Sequence, residues 1–182
     1  MDIPPVRYAA AQVFGAFAMI SLFLAYQQKE RRKLIACKLC ADVCWAAHYF
    51  LLGAYGGMIP NAVGVFRELV FMQRDKKSWA GKPLIPVIFI LINWCVGIST
   101  FSSPVNIMPI AASTFVTVSL WLRRPKLTKI ISAPVSVTFL IYDLIVGSWI
   151  GAVNETAALI SIAAYFIKDA GERKHGGEND GH

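Results

Sequence analysis

The feature that most constrains this chain is a series of apolar stretches, each about as long as a helix needs to cross a bilayer, separated by connections that are alternately basic and uncharged. A hydrocarbon core about 30 Å thick takes roughly 20 mostly apolar helical residues, within a range of about 17 to 25. By that ruler the chain divides into seven spans, at 8–26, 34–52, 58–73, 84–100, 107–122, 127–146 and 152–168. The third and fifth are short, and taking one segment as re-entrant would leave six spans.

The connections decide between these counts, because Lys and Arg are retained on the cytoplasmic side. Lys29, Arg31, Arg32 and Lys33 follow the first span, and Arg74, Lys76, Lys77 and Lys82 follow the third. Arg123, Arg124, Lys126 and Lys129 follow the fifth, and Lys168, Arg173 and Lys174 the seventh. The turns after the second, fourth and sixth spans (GAYGG, SSPVN, GSWIG) carry no charged residue. This alternation requires an odd number of crossings, with the N-terminus outside and the C-terminus in the cytoplasm. Residues 1–7 lack the charged n-region of a cleavable signal peptide, so the first apolar run is expected to stay in the mature protein. Residues 171–182 (GERKHGGENDGH) are polar without apolar periodicity and are expected to form a disordered cytoplasmic tail.

Composition agrees. With 56% hydrophobic and 16% charged residues, the chain is too apolar for an ordinary soluble domain. The net charge of +7 does not point to nucleic acid, because the basic residues sit in short clusters between apolar runs and form no basic face with interleaved aromatics. Cys37, Cys40, Cys44 and Cys95 all lie in apolar segments, where thiols behave as small hydrophobes, so no disulfide framework is expected. Cys37, Cys40 and Cys44 share a helix with His48 but spread over more than two turns, which suits packing better than one tetrahedral site. Neither a metal nor a cofactor is expected.

Shifting the chain against itself by 94 residues superimposes the first three spans on the last three and leaves the fourth unmatched. Gly53-Ala-Tyr-Gly-Gly57 falls on Gly147-Ser-Trp-Ile-Gly151, Arg74-Asp75 falls on Lys168-Asp169, and the basic connections coincide. The fold class is therefore an all-α integral membrane protein of seven transmembrane helices, two parallel three-helix repeats joined by a linker helix. Its expected units are 1–82, a linker span at 83–103, 104–170 and the tail at 171–182. In transporters such repeats form a central site between the halves. The plan resembles that of the SWEET sugar transporters and the PnuC vitamin transporters. The residues themselves, over about 8–168, are similar to the bacterial inner-membrane YgjV family, through His48-Tyr-Phe-Leu-Leu-Gly53, Arg67 and the Gly147–Gly151 turn. That resemblance implies the bacterial inner membrane and no particular substrate. The family pattern has a second His where this chain has Tyr142, which speaks against a role that needs a pair of histidines.

Ionisable side chains within a bilayer cost at least about 2.5–3.5 kcal/mol on insertion scales, so those that persist usually face a partner or a cavity. Asp42 and Arg67 lie roughly 12 and 9 Å from the inner ends of their spans and are at a depth to pair, either as a structural lock or as part of a proton pathway. Glu68, about 100° further round the helix, is expected to point elsewhere. A second polar layer lies nearer the outer surface. It comprises His48 and Asn61 in one half and Tyr142, Asp143, Asn154 and Glu155 in the other, candidates for contacting a small asymmetric polar solute. Asp143 and Glu155, lacking a nearby basic residue, are expected either to be solvated at the outer interface or to line an outward cavity. Asn93, without a counterpart in the repeat, is placed to hydrogen-bond across helices. Trp79, Trp121 and Trp149 fall near span ends, as interfacial anchors do.

These features point to a membrane transporter for a small polar solute, with a site between the halves and proton coupling through Asp42, Glu68 or Asp143. The alternative is a receptor that binds on the same plan without moving its ligand. An intramembrane enzyme is not expected, since no nucleophile and base occur at matching depth. One chain could form a whole pathway, as a monomer or within a homo-oligomer. Periplasmic reporter fusions after residues 55, 102 and 149 should be active and fusions after 30, 76 and 125 silent; activity of both sets on one side would contradict the alternation.

Overall fold

Helices in this chain start and stop where proline and glycine punctuate the sequence. The computed structural model describes residues 3–28, 30–99, 102–122 and 125–179, with the backbone alone at 26–27, 31, 125–126, 128–129 and 168–179. Pro5 opens α1 (Pro5–Gln27), a position where a missing N–H costs nothing. There follow α2 (Arg31–Leu52), α3 (Tyr55–Met72), α4 (Leu84–Ser99), α5 (Ile107–Leu122), α6 (Pro125–Val146) and α7 (Trp149–Asn179). Short 3-10 turns at Ser78–Gly81 and Pro104–Asn106 flank α4. There is no strand among the described residues.

The chain is thus all-helical, with seven helices close to the seven expected spans. Four of them are long and apolar enough to cross a membrane, within Pro5–Ala25, Arg32–Leu52, Pro104–Leu122 and Trp149–Ile167. Shorter apolar helices occupy Leu84–Ser99 and Ile130–Val146. The third helix is 18 residues long, a rise of about 27 Å, and carries Arg67 and Glu68, which lower its hydropathy. One expectation needs correction. α7 does not stop at 168 but continues to Asn179, through most of the stretch expected to be disordered. Extending a formed helix needs no new nucleus, and Ala170 and Glu172-Arg173-Lys174 are good helix formers. Lys29, Arg123 and Arg124 of the basic connections, and the end of the tail at 180–182, lie outside the described residues, as do the side chains of Arg31, Lys126, Lys129, Lys168, Arg173 and Lys174.

The helices close into a ring. α2 packs between α1 and α3, and α6 between α5 and α7, while α1 meets α7 and α3 meets α5. α4 packs against α3 and α5 with one face, on which Pro86, Phe89, Asn93 and Gly97 recur at helical spacing. Ile110 fills the space that a side chain at Gly97 would take, Asn93 Nδ2 donates to Ile110 O at 3.0 Å, and Trp94 Nε1 donates to Thr114 Oγ1 at 3.0 Å. Asn93 therefore bonds across helices as expected. Phe17, Phe66, Leu91, Leu144 and Ile160 point outward with about half or more of their surface exposed. That inverted surface suits lipid, not water.

The uncharged turns gather at one end. Tyr8 Oη donates to Gly147 O at 3.3 Å, Arg7 to Phe50 O at 3.1 Å, and Asn106 lies directly against Gly56. At the opposite end Arg74 donates to Trp121 O at 2.8 Å with its guanidinium 3.6 Å from the Trp121 ring centre, while Arg32, Asp75 and Lys76 line a small hollow with Phe71. Trp79 and Trp149 are exposed near helix ends, whereas Trp121 packs on Phe71.

Two of the turns are alike in detail. Gly53 and Gly147 have φ of 71° and 74°, and Ala54 N–H to Tyr49 O matches Ser148 N–H to Asp143 O, each 2.8 Å. This is the left-handed glycine stop of a Schellman motif. Gly57, by contrast, is required by space, since a Cβ there would stand 2.8 Å from the Tyr49 ring and 2.9 Å from that of Tyr142. Gly57→Ala should therefore cost about 1–3 kcal/mol, Gly147→Ala about 1–2 kcal/mol from backbone strain alone, and Gly81→Ala close to nothing. Unfolding in detergent checks this order, and a Gly57→Ala variant as stable as Gly81→Ala would contradict the packing.

Candidate functional site

The interior of the ring holds two layers of polar side chains, about 10 Å apart along α2, from residue 49 to residue 42. The layer nearer the uncharged turns is built by the last turns of α2 and α6. Tyr49 Oη donates to Asp143 Oδ1 at 2.7 Å. His48 places Nδ1 at 2.6 Å from Ala11 O and Nε2 at 2.7 Å from Ser148 Oγ. A carbonyl only accepts, so Nδ1 carries the proton and, in the neutral ring, Nε2 accepts from Ser148. Gly15 gives this ring room, because a side chain there would collide with Ile150 and crowd His48. Tyr142 Oη accepts from Gly57 N at 2.7 Å and donates to Ala54 O at 3.3 Å, bridging two groups at the first turn of α3 that also bond each other at 3.0 Å.

These bonds follow a rule. His48 on α2 reaches Ser148, just before α7, and Tyr142 on α6 reaches Ala54, just before α3. The second contact is the first with 94 added to one partner and subtracted from the other. Tyr49 and Asp143 are themselves 94 apart and touch each other. His48, Tyr49, Tyr142, Asp143 and Ser148 are all buried, Asp143 with 1% of its surface exposed. The expectation that Asp143 might be solvated at the interface is thus overturned: the Tyr49 ring and the Gly151 turn cover it. Its Oδ2 is buried with no hydrogen-bond partner.

The second layer is ionic. Lys38 Nζ lies 2.8 Å from Asp42 Oδ1 and 3.5 Å from Glu68 Oε1. Arg67 Nη2 lies 3.0 Å from Glu68 Oε1 and 3.8 Å from Asp42 Oδ2, and Nη1 donates to Thr117 Oγ1 at 2.8 Å. Thr117 in turn donates to Ser113 O, which leaves its oxygen free to accept. Asp42 presses against Gly64, where no larger residue would fit. Asp42 and Arg67 do meet, but Glu68 does not point elsewhere. The Arg67 side chain is long enough to fold back across the 100° between neighbouring positions, and Lys38 draws both carboxylates to one point. Two cations and two carboxylates therefore balance.

Between the layers, Asn154 Nδ2 donates to Glu155 Oε1 at 3.0 Å and Ser136 bonds the same carboxylate, which is half-buried. Asn61 is turned to its own helix, donating to Gly57 O at 2.7 Å. Of the polar residues picked from the sequence, His48, Tyr142 and Asp143 thus meet in one network, Asn154 and Glu155 sit below it, and Asn61 stands apart. Sequence reasoning missed Lys38, Tyr49, Thr117 and Ser148. Lys38 stands four residues before Asp42, a helical ion-pair spacing that signals it, and Tyr49 is the residue that a 94-residue shift places on Asp143. Nothing local marks Thr117. Cys37, Cys44 and the exposed Cys40 and Cys95 are free thiols.

Outward-facing apolar helices around buried polar groups that bond one another define a multi-helix integral membrane protein. A family model of bacterial inner membrane proteins, Imp-YgjV, matches residues 9–173, and the chain belongs to that family. It is therefore a protein of the bacterial inner membrane, in contact with the lipid bilayer. No curated protein and no solved structure matches it.

Breaking a buried ion pair from one side strands the other charge and typically costs about 3–5 kcal/mol. Arg67→Met should destabilise the protein by that order, and Thr117→Val by about 1–3 kcal/mol. In a Glu68→Gln background the Arg67→Met loss should shrink, which a double-mutant cycle of detergent unfolding measures; strictly additive effects would show that the four charges do not act together.

Proposed function

We propose that this protein moves a small polar solute across the bacterial inner membrane, through a site between two parallel three-helix halves, α1–α3 and α5–α7, with α4 as the linking span. The observation that carries this is the Tyr49–Asp143 contact. Two residues related by a repeat can touch each other only where the repeat axis passes, so that bond supports an axis between the halves. The exchange of His48 to Ser148 and Tyr142 to Ala54 supports the same axis from both sides. Matching left-handed glycine stops at Gly53 and Gly147 support equal turns in the two halves.

On this reading the chain crosses seven times, with its N-terminus outside and its C-terminus in the cytoplasm, supported by the basic connections after the first and third helices, of which Arg32 and Lys76 line one hollow. On that orientation the outer polar layer closes the path to the outside. Its side chains bond one another, while hollows lie at the basic end and in an apolar groove along α6 and α7 lined by Leu144, Trp149 and Val153. A solute with hydrogen-bonding groups would replace these internal bonds as the halves part, as in transporters with repeats rocking about a central site. The plan resembles that of SWEET and PnuC transporters in this respect.

A thermal-shift screen of the purified protein against amino acids, sugars and small cationic metabolites should find a compound that raises the melting temperature. The labelled compound should then equilibrate across reconstituted vesicles, at least about tenfold slower with Tyr49→Phe, a loss of roughly 1.4 kcal/mol. A compound that stabilises but never crosses would make the protein a receptor instead.

A further inference from the structure

The buried charges divide into two unequal parts. Lys38, Arg67, Asp42 and Glu68 form a cluster of two cations and two carboxylates in contact, neutral within itself. Asp143 and Glu155 have no such balance. Among the described residues no lysine or arginine forms a salt bridge with either, and their hydrogen-bond partners, Tyr49, Ser136 and Asn154, are neutral. A carboxylate in the interior of a membrane without a cation is costly, and two of them more so. Asp143 Oδ2 is buried against the Gly151 turn and Ser148 without a hydrogen-bond partner, and no cation stands beside it as Lys38 and Arg67 stand beside the partnerless oxygens of Asp42 and Glu68.

The surroundings of the pair are specific. Asp143 is faced by Tyr49 and, through Ser148, by His48 from α2, by Tyr142 from its own helix and by Glu155 from α7; Tyr8 and Arg7 of α1 bond backbone carbonyls at the uncharged end. Glu155 interacts electrostatically with Asp143 and Tyr49 on one side and with Lys38 on the other, beyond which lie Asp42, Arg67 and Glu68 of α2 and α3. Among the described residues, Glu155 is thus an acidic side chain close enough to both layers to feel the charges of each.

We propose that Asp143 and Glu155 are a proton-carrying pair, and that the charge-balanced cluster of Lys38, Asp42, Arg67 and Glu68 is a structural lock that carries none. A hydronium ion at the uncharged end gives its proton to the Asp143 carboxylate and leaves as water. The Asp143 O–H then breaks as a water molecule between the two groups takes its proton and gives up another to form an O–H on Glu155, restoring the carboxylate on Asp143, and Glu155 releases the proton to water or a basic solute group on the other side. This deepens the transport reading above and rests on it for the use made of the proton, not for the proton's presence.

Infrared spectroscopy of the full chain in lipid membranes tests this through the C=O stretch of a protonated carboxylic acid, followed as pH is varied. The wild type should show such a band near neutral pH, shifted in D2O. Glu155→Gln and Asp143→Asn should each remove or shift it, the double variant should abolish it, and Asp42→Asn should leave it. If Asp143→Asn fails to fold, Glu155→Gln alone decides. No acid band in the wild type, a band that persists in the double variant, or one displaced by added sodium would overturn the pair. The transport reading fails separately: a band with the expected losses beside vesicles that pass no compound stabilising the protein leaves the pair standing and removes the carrier.

Discussion

Between helices in a bilayer, a polar side chain has no water to fall back on, and this fixes where nearly every polar residue of the chain sits. The sharpest case is Tyr49 and Asp143, whose 2.7 Å bond joins α2 to α6 across the ring. Around it His48 of α2 bonds Ser148, just before α7, and Tyr142 of α6 bonds Gly57 in the first turn of α3. Helix association in lipid gains little from apolar contact alone, because lipid tails are as apolar as the helices. Bonds of this kind, with close approach at Gly15, Gly57 and Gly64, hold the ring together.

The same constraint explains how much could be read from the sequence. Helix positions were legible because the hydrocarbon thickness sets a length and the connections carry the charge, so even the short third and fifth spans appear as helices α3 and α5. Gly53 and Gly147 were legible as turns because both need the left-handed conformation. His48, Tyr142 and Asp143 stood out simply as polar residues in apolar surroundings. What could not be read is direction in space: Glu68 joins Arg67 because Lys38 lies across from both, a tertiary fact no spacing within α3 contains. Tyr49 and Ser148 pass in a sequence as ordinary residues, one aromatic and one turn former. The end of α7 was misplaced because polarity was taken for disorder, where a helix already formed continues at little cost.

For function, the two layers divide the work. The ionic layer sets two cations against two carboxylates and so balances its own charge, which in the proposed reading makes it a lock. The outer layer is polar without being balanced and closes on itself, an arrangement that must open for anything to pass. Membership of the Imp-YgjV family places the protein in the bacterial inner membrane. In the proposed transport reading, what it carries is a matter of which bonds a solute could replace among Tyr49, Asp143, His48 and Ser148.

The central claim is that α2 and α6 are tied through the Tyr49 hydroxyl and the Asp143 carboxylate. A double-mutant cycle of Tyr49→Phe and Asp143→Ala, read by reversible unfolding in detergent, measures that tie directly. A buried hydrogen bond at 2.7 Å predicts a coupling of about 1–3 kcal/mol, larger at a pH where Asp143 is ionised. Single losses that add to within about 0.5 kcal/mol would mean that the two side chains act independently, and the ring has no such axis.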